Sequence, residues 1–309
     1  MMNIVFNSDY TDGLFYYSYE YYCFLKSKNI DVKLIIFLRY YQSKKECIEI
    51  LESKYLIVDK GIIFINNQTL YSDIETKDIL NNPFLLMGIS HLFHASNLLN
   101  QNIYSLNYKN ILKKIYKNKL IGIYNERNIE ATKKAAIRLS PKKIILLSDH
   151  LIFPNTKNSK DYINYSKRIF FEIYRPIIED IKAEFLFNCS NELYYKTAFF
   201  YIKNNPNRYN NNILVVYKKI YDEFYKNQYL IPVKNLLGIF KTFVYTTLIF
   251  DNAPRFLQEC FYFNKNIEYK RPESLNDGGK IYYELGEAGC DFNLKESDKI
   301  LTILEDFLL

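Results

Sequence analysis

Tryptophan is absent from the 309 residues, and glycine (9), proline (8), cysteine (5), methionine (3) and histidine (3) are all sparse. The five cysteines, Cys23, Cys47, Cys189, Cys260 and Cys290, stand far apart with no C-x-x-C pair. That spacing argues against a structural zinc site and a disulfide framework, and favours reduced, buried thiols. His91 and His94 would share a helix face, but with no acid or cysteine nearby they make a poor metal site, so no metal is expected. No apolar run reaches the length a membrane-spanning helix needs, and no basic stretch precedes the first apolar strand, so no signal peptide is expected. Neither G-x-G-x-x-G nor G-x-x-x-x-G-K-[ST] occurs, which weighs against dinucleotide oxidoreductases and P-loop enzymes. The absence of G-x-S-x-G weighs against an α/β-hydrolase. A cytoplasmic protein is expected.

What is present is a chain 49% hydrophobic and 24% charged, composed for a folded core. Its 30 tyrosines and 23 phenylalanines accompany many Lys, Asn and Ile residues, a bias that AT-rich codons explain without any functional role. The net charge of +7 suits nucleotide, nucleic-acid or anionic-membrane partners alike.

Short apolar runs alternate with helical stretches. Strands are predicted at Asn3 to Phe6, Val32 to Leu38, Tyr55 to Val58, Ile62 to Ile65, Leu85 to Ile89, Leu120 to Tyr124 and Lys143 to Leu147. Helices are predicted at Leu14 to Lys28, Ser43 to Lys54, Asn128 to Leu139 and, interrupted by Pro176, Ser159 to Ile178. The pattern then restarts: strand Ala183 to Asn188, helix Glu192 to Lys203, strand Ile213 to Tyr217, helix Lys234 to Phe240, strand Thr242 to Thr246, helix Pro254 to Asn264, strand Asn266 to Tyr269 and helix Glu296 to Leu309. Strand, helix, strand at this spacing is the βαβ unit of parallel sheets. The fold class expected is α/β with two Rossmann-like domains, 1–178 and 179–309, the last helix packing back on the first domain.

The stretch with most chemical content runs from Asp251 through Pro254, Arg255 and Glu259 to Tyr269. An acid follows a strand, proline opens a helix, and a second acid sits in the same helix. Proline suits a first helical turn, and a helix N-terminus beside a strand end attracts anions. Arg255 adds a planar fork suited to phosphate or carboxylate. The Asp251 and Glu259 spacing resembles the E-x7-E motif of GT-B-type glycosyltransferases, with Asp in the first place, and the residues after Glu259 look like that family's following helix, turn and strand. The opening Asn3-Ile-Val-Phe and the loop with Asp12 and Gly13 look like the family's first strand and acceptor-facing loop, with its Gly-Gly reduced to one Gly.

The resemblance implies two domains facing across a cleft and transfer of a sugar from a nucleotide-sugar co-substrate, with no bound cofactor, to a hydroxyl of a surface-glycan precursor (capsule, lipooligosaccharide or glycoconjugate). Glu259 would hold the donor ribose and Asp251 would face the sugar. Glu259→Ala is then expected to abolish donor binding and leave the fold intact. Arg255, with Lys218 and Lys219 after the Ile213 strand, stands for the phosphate grip, although the family's basic pair is not clean here. Gly278 and Gly279 suit either a phosphate-facing loop or a hairpin turn. Asp149 and His150, and likewise Glu126 and Arg127, follow strands at a carboxyl edge, where they would serve the acceptor, act as base, or be ordinary loop residues. From Lys109 to Lys143 there are eleven Lys or Arg against Glu126 and Glu130, a solvated face or a dock for the anionic inner face of the inner membrane. No nucleic-acid module is recognised. The alternatives are another transferase on this fold, using a CMP-sugar or a non-sugar group, and a non-catalytic binding or scaffold protein.

Overall fold

The computed structural model describes residues 2–7, 13–70, 82, 84–86, 90–124, 134–135, 137–148, 163–164, 171–189, 192–209, 213–217, 233–246 and 255–270. The chain divides into two compact units: Met1–Leu51 with Ile57–Phe170 and Asn293–Leu309, and Glu52–Leu56 with Phe171–Phe292.

The first unit is an α/β unit on a seven-stranded sheet. Its elements are β1 (Met2–Phe6), α1 (Gly13–Ser27), β2 (Val32–Phe37), α2 (Lys44–Lys54, whose last residues fall in the second unit), β3 (Ile63–Ile65), β4 (Phe84–Leu86), α3 (Ser90–Asn100), α4 (Leu106–Tyr116), β5 (Lys119–Tyr124), β6 (Lys143–Ser148) and β7 (Ile163–Asn164). Every pairing is parallel, in the order β3-β2-β1-β4-β5-β6-β7. A parallel sheet is covered on both faces, which is why its strands read as unbroken apolar runs such as Val32–Phe37 rather than as alternation. The order reverses between β1 and β4, and the carboxyl ends beside such a reversal are where open α/β sheets take their ligands.

Local chemistry sets the helix ends. Ser43 and Glu46 form a reciprocal capping box at the start of α2, at 3.1 and 3.2 Å. Asn29 after α1 has φ of 60°, and the Ile30 N–H reaches back to the Leu25 carbonyl, closing that helix as a Schellman turn. In α4 the buried positions Tyr108, Ile111, Leu112 and Ile115 recur at helical spacing. They pack in one core with Val5, Phe37, Phe84 and Leu120 of the sheet.

The second unit contains a 3-10 turn (Phe171–Ile173), β8 (Ala183–Cys189), α5 (Glu192–Asn204), β9 (Ile213–Tyr217), α6 (Val233–Gly238), β10 (Phe240–Tyr245), α7 (Arg255–Tyr262) and β11 (Asn266–Tyr269). Its four strands are parallel in the order β11-β10-β8-β9, so the chain reverses direction across the sheet between β8 and β10. Phe187, Ala198, Tyr209 and Val244 form a core between the sheet and α5. Arg208 and Tyr209 bond to Glu268 of β11, which ties the turn after α5 to the far edge of the sheet.

Two sequence-based expectations are corrected. Tyr55 to Val58 is not a strand: Tyr55 makes one isolated antiparallel bridge with Tyr174. Around it Leu56 N–H bonds the Ile173 carbonyl, Arg175 N–H bonds the Lys54 carbonyl, and Arg175 Nε donates to the carbonyls of Glu52 and Tyr55. Nor is Ser159 to Ile178 one helix, because it contains β7, the 3-10 turn and a stretch without regular structure from Arg175. Pro176 disfavours helical backbone at Arg175. The N–H groups of Asp180, Lys182 and Ala183 go instead to the carbonyls of Gly238 and Ile239. The proposed helices at Asn128 to Leu139 and Glu296 to Leu309 lie partly and wholly outside the described residues; 134–135 and 137–139 are helical.

Candidate functional site

The second unit concentrates charge at α7. This helix opens on Arg255 after β10 and buries Leu257, Gln258, Glu259 and Cys260, while Phe256 sets its ring 5.0 Å from Phe243. Asn264, with φ of 53°, closes it, and the Lys265 N–H bonds the Cys260 carbonyl before the chain enters β11.

Arg255 and Glu259 are one helical turn apart, and Arg255 Nε donates to Glu259 Oε1 at 2.7 Å. Lys54 Nζ, from the end of α2, donates to the same oxygen at 2.7 Å, and the Tyr174 hydroxyl does so at 3.2 Å. Arg255 also bonds the Tyr174 hydroxyl and lies 3.5 Å from that of Tyr55. The Lys54 ammonium stands 5.1 Å from the Tyr174 ring centre, and that ring packs on Tyr55 and Phe263. Glu259 is 1% exposed, Lys54 4% and Arg255 11%. Burial pushes the Glu259 carboxyl up, but Lys54 and Arg255 overcome it and hold the group below its ordinary value. The trio sets two cations on one carboxylate oxygen, out of water. Arg255 is its most exposed member and stands at the helix end whose free N–H groups favour anions.

Of the sequence-derived candidates, the structure joins Arg255 and Glu259 and shows Gly13 as the first residue of α1. Asp12, Glu126, Arg127, Asp149, His150, Lys218, Lys219, Asp251, Gly278 and Gly279 lie outside the described residues. The strands they follow are in place: β5 ends at Tyr124, β6 at Ser148 and β9 at Tyr217. His91 and His94 both fall in α3, their side chains outside the described set. Lys54, Tyr55 and Tyr174 were not anticipated. Lys54 meets Glu259 across 205 residues of sequence, and no local pattern marks that pairing.

Several lysines of the basic stretch gather at one edge of the first sheet. Lys113, Lys114 and Lys117 are exposed at the end of α4, and exposed Lys119 opens β5. Exposed Lys142 donates its N–H to the Lys117 carbonyl, and Lys119 pairs in register with Lys143. This is the amino edge of the strands, away from the carboxyl ends. No described helix is long and apolar enough to cross a membrane.

No family model matches the chain, and no curated protein matches it in sequence. Among solved structures it is similar to the crystal structure of a glycosyltransferase from Rickettsia africae ESF-5. That similarity has a TM-score of 0.38 and 10% identity, and covers 99% of this chain and 98% of that one. Likeness at this level leaves the functional argument to the residues themselves.

Proposed function

We infer that the chain is a glycosyltransferase of the two-domain, GT-B-like kind that moves a sugar from a nucleotide-sugar donor to a surface-glycan precursor. The observation that carries this reading is the β10-α7-β11 unit, where a motif resembling E-x7-E meets a parallel strand, a helix N-terminus and a buried cluster of two cations on one carboxylate. On this reading Arg255 and the helix dipole face the donor phosphates and stabilise the departing diphosphate without a metal. Glu259 keeps Oε1 on its two cations and presents its other oxygen to the ribose, while Asp251 faces the sugar.

Arg255→Met is the clean probe, because it leaves the Lys54–Glu259 ion pair in place. Thermal unfolding is measured with UDP, GDP, CMP, ADP and dTDP at millimolar concentration. One nucleotide is expected to stabilise the protein by about 2.7 kcal/mol at 100 times its Kd, and Arg255→Met to lose that shift. If none of the five shifts the native protein, the donor site is absent and the non-catalytic alternative replaces this reading.

The lysines at the amino edge are proposed to rest on anionic headgroups at the membrane's inner face. Vesicles with one-third phosphatidylglycerol are expected to sediment the protein at low salt and release it in 0.5 M KCl. Equal recovery with neutral phosphatidylcholine vesicles would dismiss the contact.

A further inference from the structure

At the carboxyl edge of the first unit's sheet, beside the reversal in strand order, stands a cation with no ion-pair partner among the described residues. Arg39 follows β2 by two residues, and a tight turn fixes its backbone: its N–H donates to Gln42 Oε1 at 2.9 Å and its carbonyl accepts from the Gln42 N–H at 2.9 Å. The side chain is half-buried, and its Nε, withdrawn from solvent, meets no hydrogen-bond acceptor among the described residues. A buried guanidinium N–H left unmatched is costly, so a native fold that keeps one has a use for it.

The described groups around it are polar, aromatic and uncharged. The Tyr108 hydroxyl donates to the Leu38 carbonyl at 3.4 Å, and Asn7, which follows β1, donates to the Tyr116 hydroxyl at 3.3 Å. Burial pushes both phenols up, and the Arg39 charge opposes that rise in each, which places its field on the pair. Tyr40 and Tyr41, the next two residues, are 65% and 55% exposed, their rings edge to face at 5.1 Å. A guanidinium with an unmatched N–H, followed in the chain by two exposed tyrosine rings, suits a ligand with an oxyanion and an apolar ring face. The guanidinium fork takes carboxylate or phosphate oxygens in pairs, and the rings pack against the C–H face of a sugar.

We propose that Arg39, Tyr40 and Tyr41 form an oxyanion subsite at the carboxyl edge of the first sheet that receives an acidic saccharide, one bearing a carboxylate or a phosphate. On the transferase reading this saccharide would be the acceptor; the subsite itself is defined by residues of the first unit alone. Arg39 binds the oxyanion and the tyrosines carry the ring.

The test is saturation-transfer NMR on the full chain with three probes at millimolar concentration: methyl glucuronide, glucose 6-phosphate and neutral methyl glucoside. At least one acidic probe is expected to bind more tightly than the glucoside. Arg39→Met is expected to weaken it roughly 10-fold or more, the loss typical of a hydrogen bond to a charged group. Arg39→Lys, which keeps the charge and loses the fork, falls between the two and guards against a folding defect in the methionine variant. Binding of the glucuronide alone identifies a carboxylate, and of the phosphate alone a phosphosugar. Acidic probes that bind no better than the glucoside, or equally well to a folded Arg39→Met protein, overturn the subsite. The nucleotide melts separate the two readings: a nucleotide shift without acidic-sugar binding removes the subsite and leaves the transferase, and the reverse removes the donor site and leaves the subsite.

Discussion

Glu259→Ala is expected to cost the protein about 3–5 kcal/mol of stability, because it removes the carboxylate that two buried cations share. Lys54 and Arg255 both point their donors at Glu259 Oε1, and neither has enough exposure to recover its hydration. This revises the expectation that the substitution would spare the fold. Urea unfolding of the full chain measures it, and an unchanged midpoint would show that the trio is not the buried unit described. Two companions sharpen the test. Arg255→Met leaves one cation with one carboxylate and should be much milder. The triple change of Lys54→Met, Arg255→Met and Glu259→Leu removes all three charges together, and replacing a whole buried ion cluster by apolar side chains is often neutral or stabilising. The same carboxylate sets an acid limit. Its folded value lies below the ordinary 4.5, so its contribution is complete above that pH and drains away as pH falls through the depressed value. In Glu259→Gln this part of the acid transition should vanish.

Gly238→Ala is expected to be the next most damaging change, at about 1–3 kcal/mol. A methyl group there would lie 2.4 Å from the Ile178 carbonyl oxygen and 3.3 Å from Ile177 Cγ2. The first obstacle is backbone, so no rotamer change relieves it. That backbone is held in place, since the Asp180 N–H donates to the Gly238 carbonyl and the next two N–H groups in the lining donate to Ile239. Thermal unfolding reads the loss. Trimming the neighbour with Ile177→Ala should recover little of it, whereas full recovery would mean that the side chain, not the carbonyl, is the true obstacle.

The parallel sheets were legible because each strand is a compact apolar run, and the cap residues around α1, α2 and α7 announce where those helices stop and start. Val32 to Leu38 and Asn266 to Tyr269 fall where β2 and β11 are found, within a residue. The segment from Ser159 to Ile178 misled because its apolar spacing fits a helix, while Ile173 and Arg175 make backbone bonds with Leu56 and Lys54 at great sequence distance. Arg255 and Glu259 were visible as a pair for the same reason that α7 was, being one turn apart. Lys54 was not: it ends an unremarkable helix, and only the three-dimensional fold sets it beside an acid 205 residues later. Arg39 hid differently, as one polar residue just after an apolar strand, its meaning carried by an Nε with no acceptor among the described residues rather than by any motif.

The second unit is stitched from two separated pieces of chain, and that has a consequence for synthesis and for dissection. Glu52–Leu56 leaves the ribosome long before its partners; Arg175, which clasps the carbonyls of Glu52 and Tyr55, arrives 123 residues after Glu52. The second unit's early piece therefore waits, unpaired, through the translation of nearly all the first. A fragment begun at Phe171 would lack Lys54 and Tyr55, so Arg175 would lose the carbonyls it clasps and Glu259 would keep Arg255 and Tyr174 but lose Lys54. Such a fragment regains its partners only when a peptide spanning Glu52–Leu56 is supplied in trans, which makes the pair a natural split for complementation.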